Sequence, residues 1–179
     1  MAVPETLTIQ APAQPFDSRR HWRTCLLWAG AGLAADQGLK AFVAWSLAPG
    51  EQVFVTPWFN IVHVLNPGAA FSFLADAGGW QRWFLVAIGI AVSGVLAWWL
   101  RRGVASRLEA AAYVGLIGGA LGNVVDRLRL GAVVDYLDLH WRGMHWPAFN
   151  LADIFVVGSA GLLLLASFTE PRAAGRSNN

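Results

Sequence analysis

The chain has 179 residues, 56% of them hydrophobic and 13% charged, with ten tryptophans and a mean hydropathy of +0.46, which leaves too little polar surface for a soluble domain of this length. Its net charge of +2 is not gathered into a basic stripe with interleaved aromatics, so nucleic acid is not an expected partner. The single cysteine, Cys25, excludes an internal disulfide and a thiolate metal site, and reads as a buried inert thiol.

In chain order, residues 1–23 lack the apolar core of a cleaved signal peptide and read as a polar N-terminal tail. Four apolar runs follow, each of about 20 residues, the length of a membrane-crossing helix. They cover Thr24 to Trp45, Trp83 to Leu100, Leu108 to Leu128 and Ala148 to Phe168, and residues 169–179 form a polar C-terminal tail. The expected fold is a membrane all-α bundle of four transmembrane helices. Eight of the thirteen Lys and Arg residues, namely Arg19, Arg20, Arg23, Arg101, Arg102, Arg107, Arg172 and Arg176, fall in the tails and the second-to-third connection. The positive-inside rule places all three in the cytoplasm.

The two longer connections, about Ser46 to Arg82 and Arg129 to Pro147, therefore face outward. In the first, Val53, Val55 and Phe59 to Val64 surround Pro57, a pattern of short strands broken by a turn that would rest as a small sheet on the membrane. Trp45, Trp80, Trp83, Trp98, Trp99, Trp141 and Trp146 fall near span ends, where indoles favour the headgroup layer. Gly115, Gly118, Gly119 and Gly122 in the third span permit close helix approach.

Acids inside apolar segments cost roughly 2.5 to 3.5 kcal/mol if they face lipid, so they point inward and mark function. Asp36 and Lys40, four residues apart, share a helical face as an ion pair. Asn66-Pro67-Gly68-Ala69-Ala70-Phe71-Ser72 is a turn whose small residues let backbone approach a ligand. Asn123, Asp126 and Arg127 occupy i, i+3 and i+4, with Asp126 and Arg127 a candidate structural pair and Asn123 in need of a partner. Asp135 lies in the alternating stretch Val133-Val134-Asp135-Tyr136-Leu137-Asp138, where Asp138 competes with it, and Asn150 and Asp153 open the fourth span.

Two aspartates without another cofactor suit water activation: one carboxylate takes a proton from water while its protonated partner polarises a carbonyl. Held close, the pair shares one proton. A proton-coupled carrier or channel subunit using Asp36, Asp126 and Asp153 as a relay is the alternative, and a non-catalytic anchor built on the glycine-rich third span is a third reading. His63, His140 and His145 show no metal-ligand spacing. Ser72, Ser93 and Ser159 lack a nucleophile setting.

Taken in order, five blocks resemble bacterial lipoprotein signal peptidase, the type II signal peptidase. They are Asp36-Gln37-Gly38-Leu39-Lys40, Asn66 to Ser72, Gly122-Asn123-Val124-Val125-Asp126-Arg127, Val134-Asp135-Tyr136 and Phe149-Asn150-Leu151-Ala152-Asp153. The resemblance runs from about Leu33 to Gly158 and departs at Leu39, where many members carry threonine. It implies four helices with a small β-rich cradle on the periplasmic side, in the bacterial cytoplasmic (inner) membrane with both termini cytoplasmic. By block position Asp135 and Asp153 match the catalytic dyad. Asp36, Asn66, Gly68, Asn123, Asp126, Arg127 and Asn150 match residues lining or bracing the site, and Lys40 the partner of Asp36. The implied substrates are diacylated prolipoproteins cut just before the lipid-modified cysteine, with membrane lipid and globomycin-type inhibitors as further partners and no metal or other cofactor.

Overall fold

A computed structural model of the chain describes residues 17–68, 78–104 and 106–169. Both terminal tails for the most part, and the block Ala69 to Ser72, lie outside the described residues. The element order is α1 (Ser18–Ser46), β1 (Gln52–Thr56), β2 (Phe59–Asn66), α2 (Trp80–Arg102), α3 (Arg107–Leu130), β3 (Val133–Trp141), β4 (Met144–His145) and α4 (Leu151–Thr169).

Four long helices stand where four apolar runs were expected, and the helical hydrogen bonding extends beyond several of them. α1 begins six residues earlier, because Asp17 caps it through a 3.0 Å acceptor contact from the Arg19 N–H. α3 runs from its Ser106 cap, which accepts from the Glu109 N–H at 3.1 Å, to Gly131 in the left-handed region. α4 starts at Leu151 rather than at about Ala148, because Phe149 is still paired with Leu137 as an extended bridge. Among the described residues three helices, α2, α3 and α4, are long and apolar enough to cross a membrane. α1 has 29 residues but carries Asp36, Gln37 and Lys40 in its second half, and these lower its hydropathy.

The bundle centres on α3, against which α1, α2 and α4 all pack. Its glycines make this possible. A Cβ at Gly118 would stand 2.8 Å from the Ala29 carbonyl oxygen of α1, and one at Gly119 2.5 Å from the Ala152 carbonyl oxygen of α4. Cys25, Ala29, Leu96, Leu100, Ala110, Tyr113 and Ile117 form the buried core at one end. At that end Ser18 Oγ donates to the Leu100 carbonyl and accepts from the Val104 N–H, which ties the start of α1 to the α2–α3 connection. Large apolar side chains cover the outer surface, with Trp28 67% and Phe168 85% exposed. Such a surface suits lipid rather than water.

The opposite end carries an antiparallel sheet of order β1-β2-β3-β4. β2 pairs with β3 so that Val64 faces Asp135 and Asn60 faces Asp138, with a register irregularity between Ile61 and Val64. The strands expected around Pro57 are present as the β1–β2 hairpin. Because β3 leaves α3 after Gly131 and returns to α4 at Asn150, it carries Asp135 back over the helix ends.

Candidate active site

The site grows from the start of α4. Asn150 is the cap of that helix and Asp153 lies three residues on. The Asn150 N–H donates to Asp153 Oδ2 at 3.2 Å, and the Asp153 N–H donates to Asn150 Oδ1 at 3.1 Å, a reciprocal capping arrangement. The Asn150 amide has donors left, and Nδ2 gives one to Asp135 Oδ1 at 2.6 Å. One residue therefore holds both carboxylates. Asn66 Nδ2 donates to the other Asp135 oxygen at 3.1 Å. Asn123 Nδ2, from α3, donates to Asp153 Oδ1 at 2.9 Å.

Beneath this layer lies a buried ionic one. Lys40 Nζ reaches Asp36 Oδ2 at 2.9 Å, Asp126 Oδ2 at 3.0 Å and Asn123 Oδ1 at 2.9 Å, which uses all three of its protons. Asp36 Oδ1 accepts from the Ala152 N–H at 2.9 Å and so satisfies a free donor in the first turn of α4. Asp126 accepts from the Val134 N–H at 3.1 Å and fixes β3 one residue before Asp135. Each acid thus braces the element that carries one of the paired aspartates.

Arg127 closes the network: it donates to the Gly68 carbonyl at 2.6 Å and to the Asn123 carbonyl at 3.2 Å, and its charge acts on Asp153, Asp135 and Asp126. Gly68 donates its N–H to Asn66 Oδ1 at 3.0 Å, orienting the amide that holds Asp135. Asp135 is buried and Asp153 half-buried. Burial, and secondarily the charge of Asp153, push the Asp135 carboxyl up to about 7. Asp135 and Asp153 thus stand in one hydrogen-bonded cluster at the start of α4, the first buried and the second half-buried.

The sequence of this chain matches the family profile described as Signal peptidase (SPase) II over residues 28–169. The chain belongs to the signal peptidase II family. It is 51% identical over 153 residues to the lipoprotein signal peptidase of Aeromonas hydrophila subsp. hydrophila, covering 83% of this chain and 92% of that protein. It is 48% identical over 141 residues to that of Ralstonia nicotianae, covering 77% and 82% respectively. Among solved structures, a bacterial membrane enzyme determined by the in meso method superposes with a TM-score of 0.74 at 28% identity, covering 87% of this chain and 94% of that one.

Within this signal peptidase II chain, all ten residues singled out from sequence join one hydrogen-bonded network: Asp36, Lys40, Asn66, Gly68, Asn123, Asp126, Arg127, Asp135, Asn150 and Asp153. One pairing differs from expectation. Asp126 joins Lys40 rather than Arg127, since adjacent residues of a helix point in different directions. Asp138, the competitor of Asp135, instead meets Asn60 at 2.8 Å and His145 at 2.9 Å. Burial pushes its carboxyl up, but these hydrogen bonds outweigh that and hold it below the usual range. Two further residues belong to the network. Gln37 Nε2 donates to Asp126 Oδ1 at 2.9 Å and to the Gly122 carbonyl at 3.1 Å, and Tyr136 Oη accepts from the Leu151 N–H at 3.1 Å. Both stand inside family-like blocks, beside the acids that drew attention.

Proposed function

We propose that this member of the signal peptidase II family is an aspartic endopeptidase that removes the signal peptide from diacylglyceryl-modified prolipoproteins, cutting just before the lipid-modified cysteine, with Asp135 and Asp153 sharing one proton. The carrying observation is that Asn150 hydrogen-bonds both carboxylates at once. Asp135, whose pKa is pushed up to about 7, is the acid, and the half-buried Asp153 is the base. Asp153 takes a proton from water as the oxygen attacks the scissile carbonyl. Asp135 donates its proton to the carbonyl oxygen, and collapse of the tetrahedral intermediate returns that proton to Asp135 while the proton on Asp153 passes to the departing amine. Asn123, Asn150 and Asn66 orient the pair, and Asp36, Lys40, Asp126, Arg127 and Gly68 hold those elements in place.

The orientation reading has α1 as a fourth span, both termini in the cytoplasm and the site near the periplasmic face of the inner membrane. Support comes from the common end shared by the α1 start and the arginine-bearing α2–α3 connection, opposite the sheet. At that height a diacylated cysteine is held by its acyl chains next to the dyad, and globomycin-type inhibitors occupy the same place. A proton relay finds no support, because Asp36 and Asp126 are both held by Lys40 within one bracing network rather than spread along a path through the membrane. The test is cleavage of a diacylglyceryl prolipoprotein by purified Asp135→Asn and Asp153→Asn enzymes. Both fold, by circular dichroism in detergent, and both fall to background. Near-wild-type turnover by either rejects the dyad.

A further inference from the structure

At the other end of the bundle a groove of about 850 Å³ opens between α1, α3 and α4, sharing no residue with the paired aspartates or their braces. α3 forms its floor from Arg107 to Gly118, α1 forms one wall from His21 to Gly32, and Phe155 of α4 lies at the far end. From Arg107 to Gly118, eleven steps of about 1.5 Å along α3 rise about 16 Å, close to half of the roughly 30 Å hydrocarbon core. The groove is therefore as deep as one leaflet.

Its polarity is graded along that depth. Gly32, Gly118 and Phe155 make the deep end apolar, and the two basic side chains of the lining, Arg107 and His21, both stand at the shallow end. Arg23, stacked over Trp22, lies two residues from His21, while Arg20 is paired with Asp17 at 3.5 Å and adds no net charge there. Glu109, the acid in the first turn of α3, is engaged by Tyr113 Oη at 2.6 Å and does not line the groove. An apolar slot one leaflet deep with a cationic mouth is complementary to a single lipid carrying a negative headgroup.

We propose that this groove binds an anionic phospholipid of the cytoplasmic leaflet, with an acyl chain along α3 and its phosphate against Arg107 and His21. The leaflet assignment rests on the orientation given under Proposed function; the binding chemistry does not. The signal helix of a substrate is the rival occupant, and charge disfavours it. Such helices begin with a basic segment, which would meet Arg107 and Arg23 at the mouth.

Native mass spectrometry of the full-length enzyme in detergent, with phosphatidylglycerol and phosphatidylcholine as probes, tests this. The wild type retains phosphatidylglycerol about fivefold better; Arg107→Glu abolishes the preference, and Ala111→Phe, at an exposed groove position, lowers retention of both lipids. Arg107→Gln replaces Arg107→Glu if the latter fails to insert. Equal retention of the two lipids by the wild type overturns the proposal, as does a preference that survives in whichever Arg107 variant inserts. It is also overturned if Ala111→Phe raises the KM for prolipoprotein while lipid retention is unchanged, which assigns the groove to the signal helix. Because the readout is lipid retention, an error in the dyad assignment leaves the result untouched. A cysteine placed by Arg101→Cys tests the leaflet separately: protection from an impermeant maleimide in intact cells supports it, and labelling from outside overturns it.

Discussion

Lys40 Nζ lies 2.9 Å from Asn123 Oδ1, and this contact decides which way the Asn123 amide faces. An ammonium only donates, so the amide oxygen must turn toward it and the amide nitrogen is left for Asp153. The same ammonium bridges Asp36 and Asp126. Lys40→Met removes the ammonium that bridges two buried carboxylates and leaves Asp36 without its counter-ion, a loss of about 3–5 kcal/mol. Unfolding in detergent followed by circular dichroism is expected to show a large drop in Tm, and a Tm equal to wild type would contradict the bracing role.

Asn123→Ala leaves Asp153 with the Asn150 N–H as its remaining described side-chain contact. A hydrogen bond to a charged group contributes about 1.5–3 kcal/mol, so kcat/KM for a diacylglyceryl prolipoprotein is expected to fall about 10- to 100-fold. Asn123→Asp, which places a third acid at the pair, is expected to be worse than Asn123→Ala. The opposite order would show that Asn123 orients nothing.

Much of this arrangement was legible along the chain, for reasons of period. Asp36 with Lys40, and Asn150 with Asp153, are spaced by one helical turn, so each pair shares a face wherever the helix goes. Asp135 was ambiguous with Asp138 because strand neighbours three apart point to opposite faces, and only the pairing register of β3 with β2 decides which one meets α4. Gln37 and Tyr136 drew no attention, since an amide and a phenol beside stronger acids carry no spacing of their own. The Lys40–Asp126 bridge joins residues of two helices, a contact that periodicity within either helix does not encode.

The Asp135 carboxyl, held at about 7 by burial and then by Asp153, gives a pH dependence with a definite sign. The pair keeps its proton below about 7 and loses it above, so kcat is expected to fall as pH rises through that value. Stability follows the same direction. The folded value exceeds the ordinary 3.8, so the folded state binds more protons, and Asp135 contributes stability that is fully present below about 3.8 and lost as pH rises through about 7. Asp153→Asn removes the like charge, and infrared titration of Asp135 is expected to move downward. An unchanged midpoint would mean that the two groups do not interact.

Gly122 is where α3 lets Asp36 in. A Cβ there would stand 2.6 Å from Asp36 Oδ2, a carboxylate already held by Lys40 and the Ala152 N–H. Gly122→Ala is expected to lower Tm and reduce cleavage together, because moving Asp36 also frees the first turn of α4 that carries Asp153. Gly94→Ala, in α2, meets nothing within 4 Å and serves as the control, with little change in either measurement. Equal behaviour of the two variants would remove Gly122 from the bracing set.

Asp138 separates a specific dyad from a general need for acid near the sheet. Its carboxylate is committed to Asn60 and His145, on the β3–β4 side, and no contact joins it to Asp153 or Asn150 among the described residues. Asp138→Asn keeps an oxygen for one partner and loses one charge-assisted contact, which costs about 1 to 3 kcal/mol at most. The folded enzyme is expected to cleave prolipoprotein at the wild-type rate at pH 7, with a modest decrease in Tm. A collapse of kcat comparable with that of Asp135→Asn would move the catalytic pair onto Asp138 and overturn the assignment of Asp135.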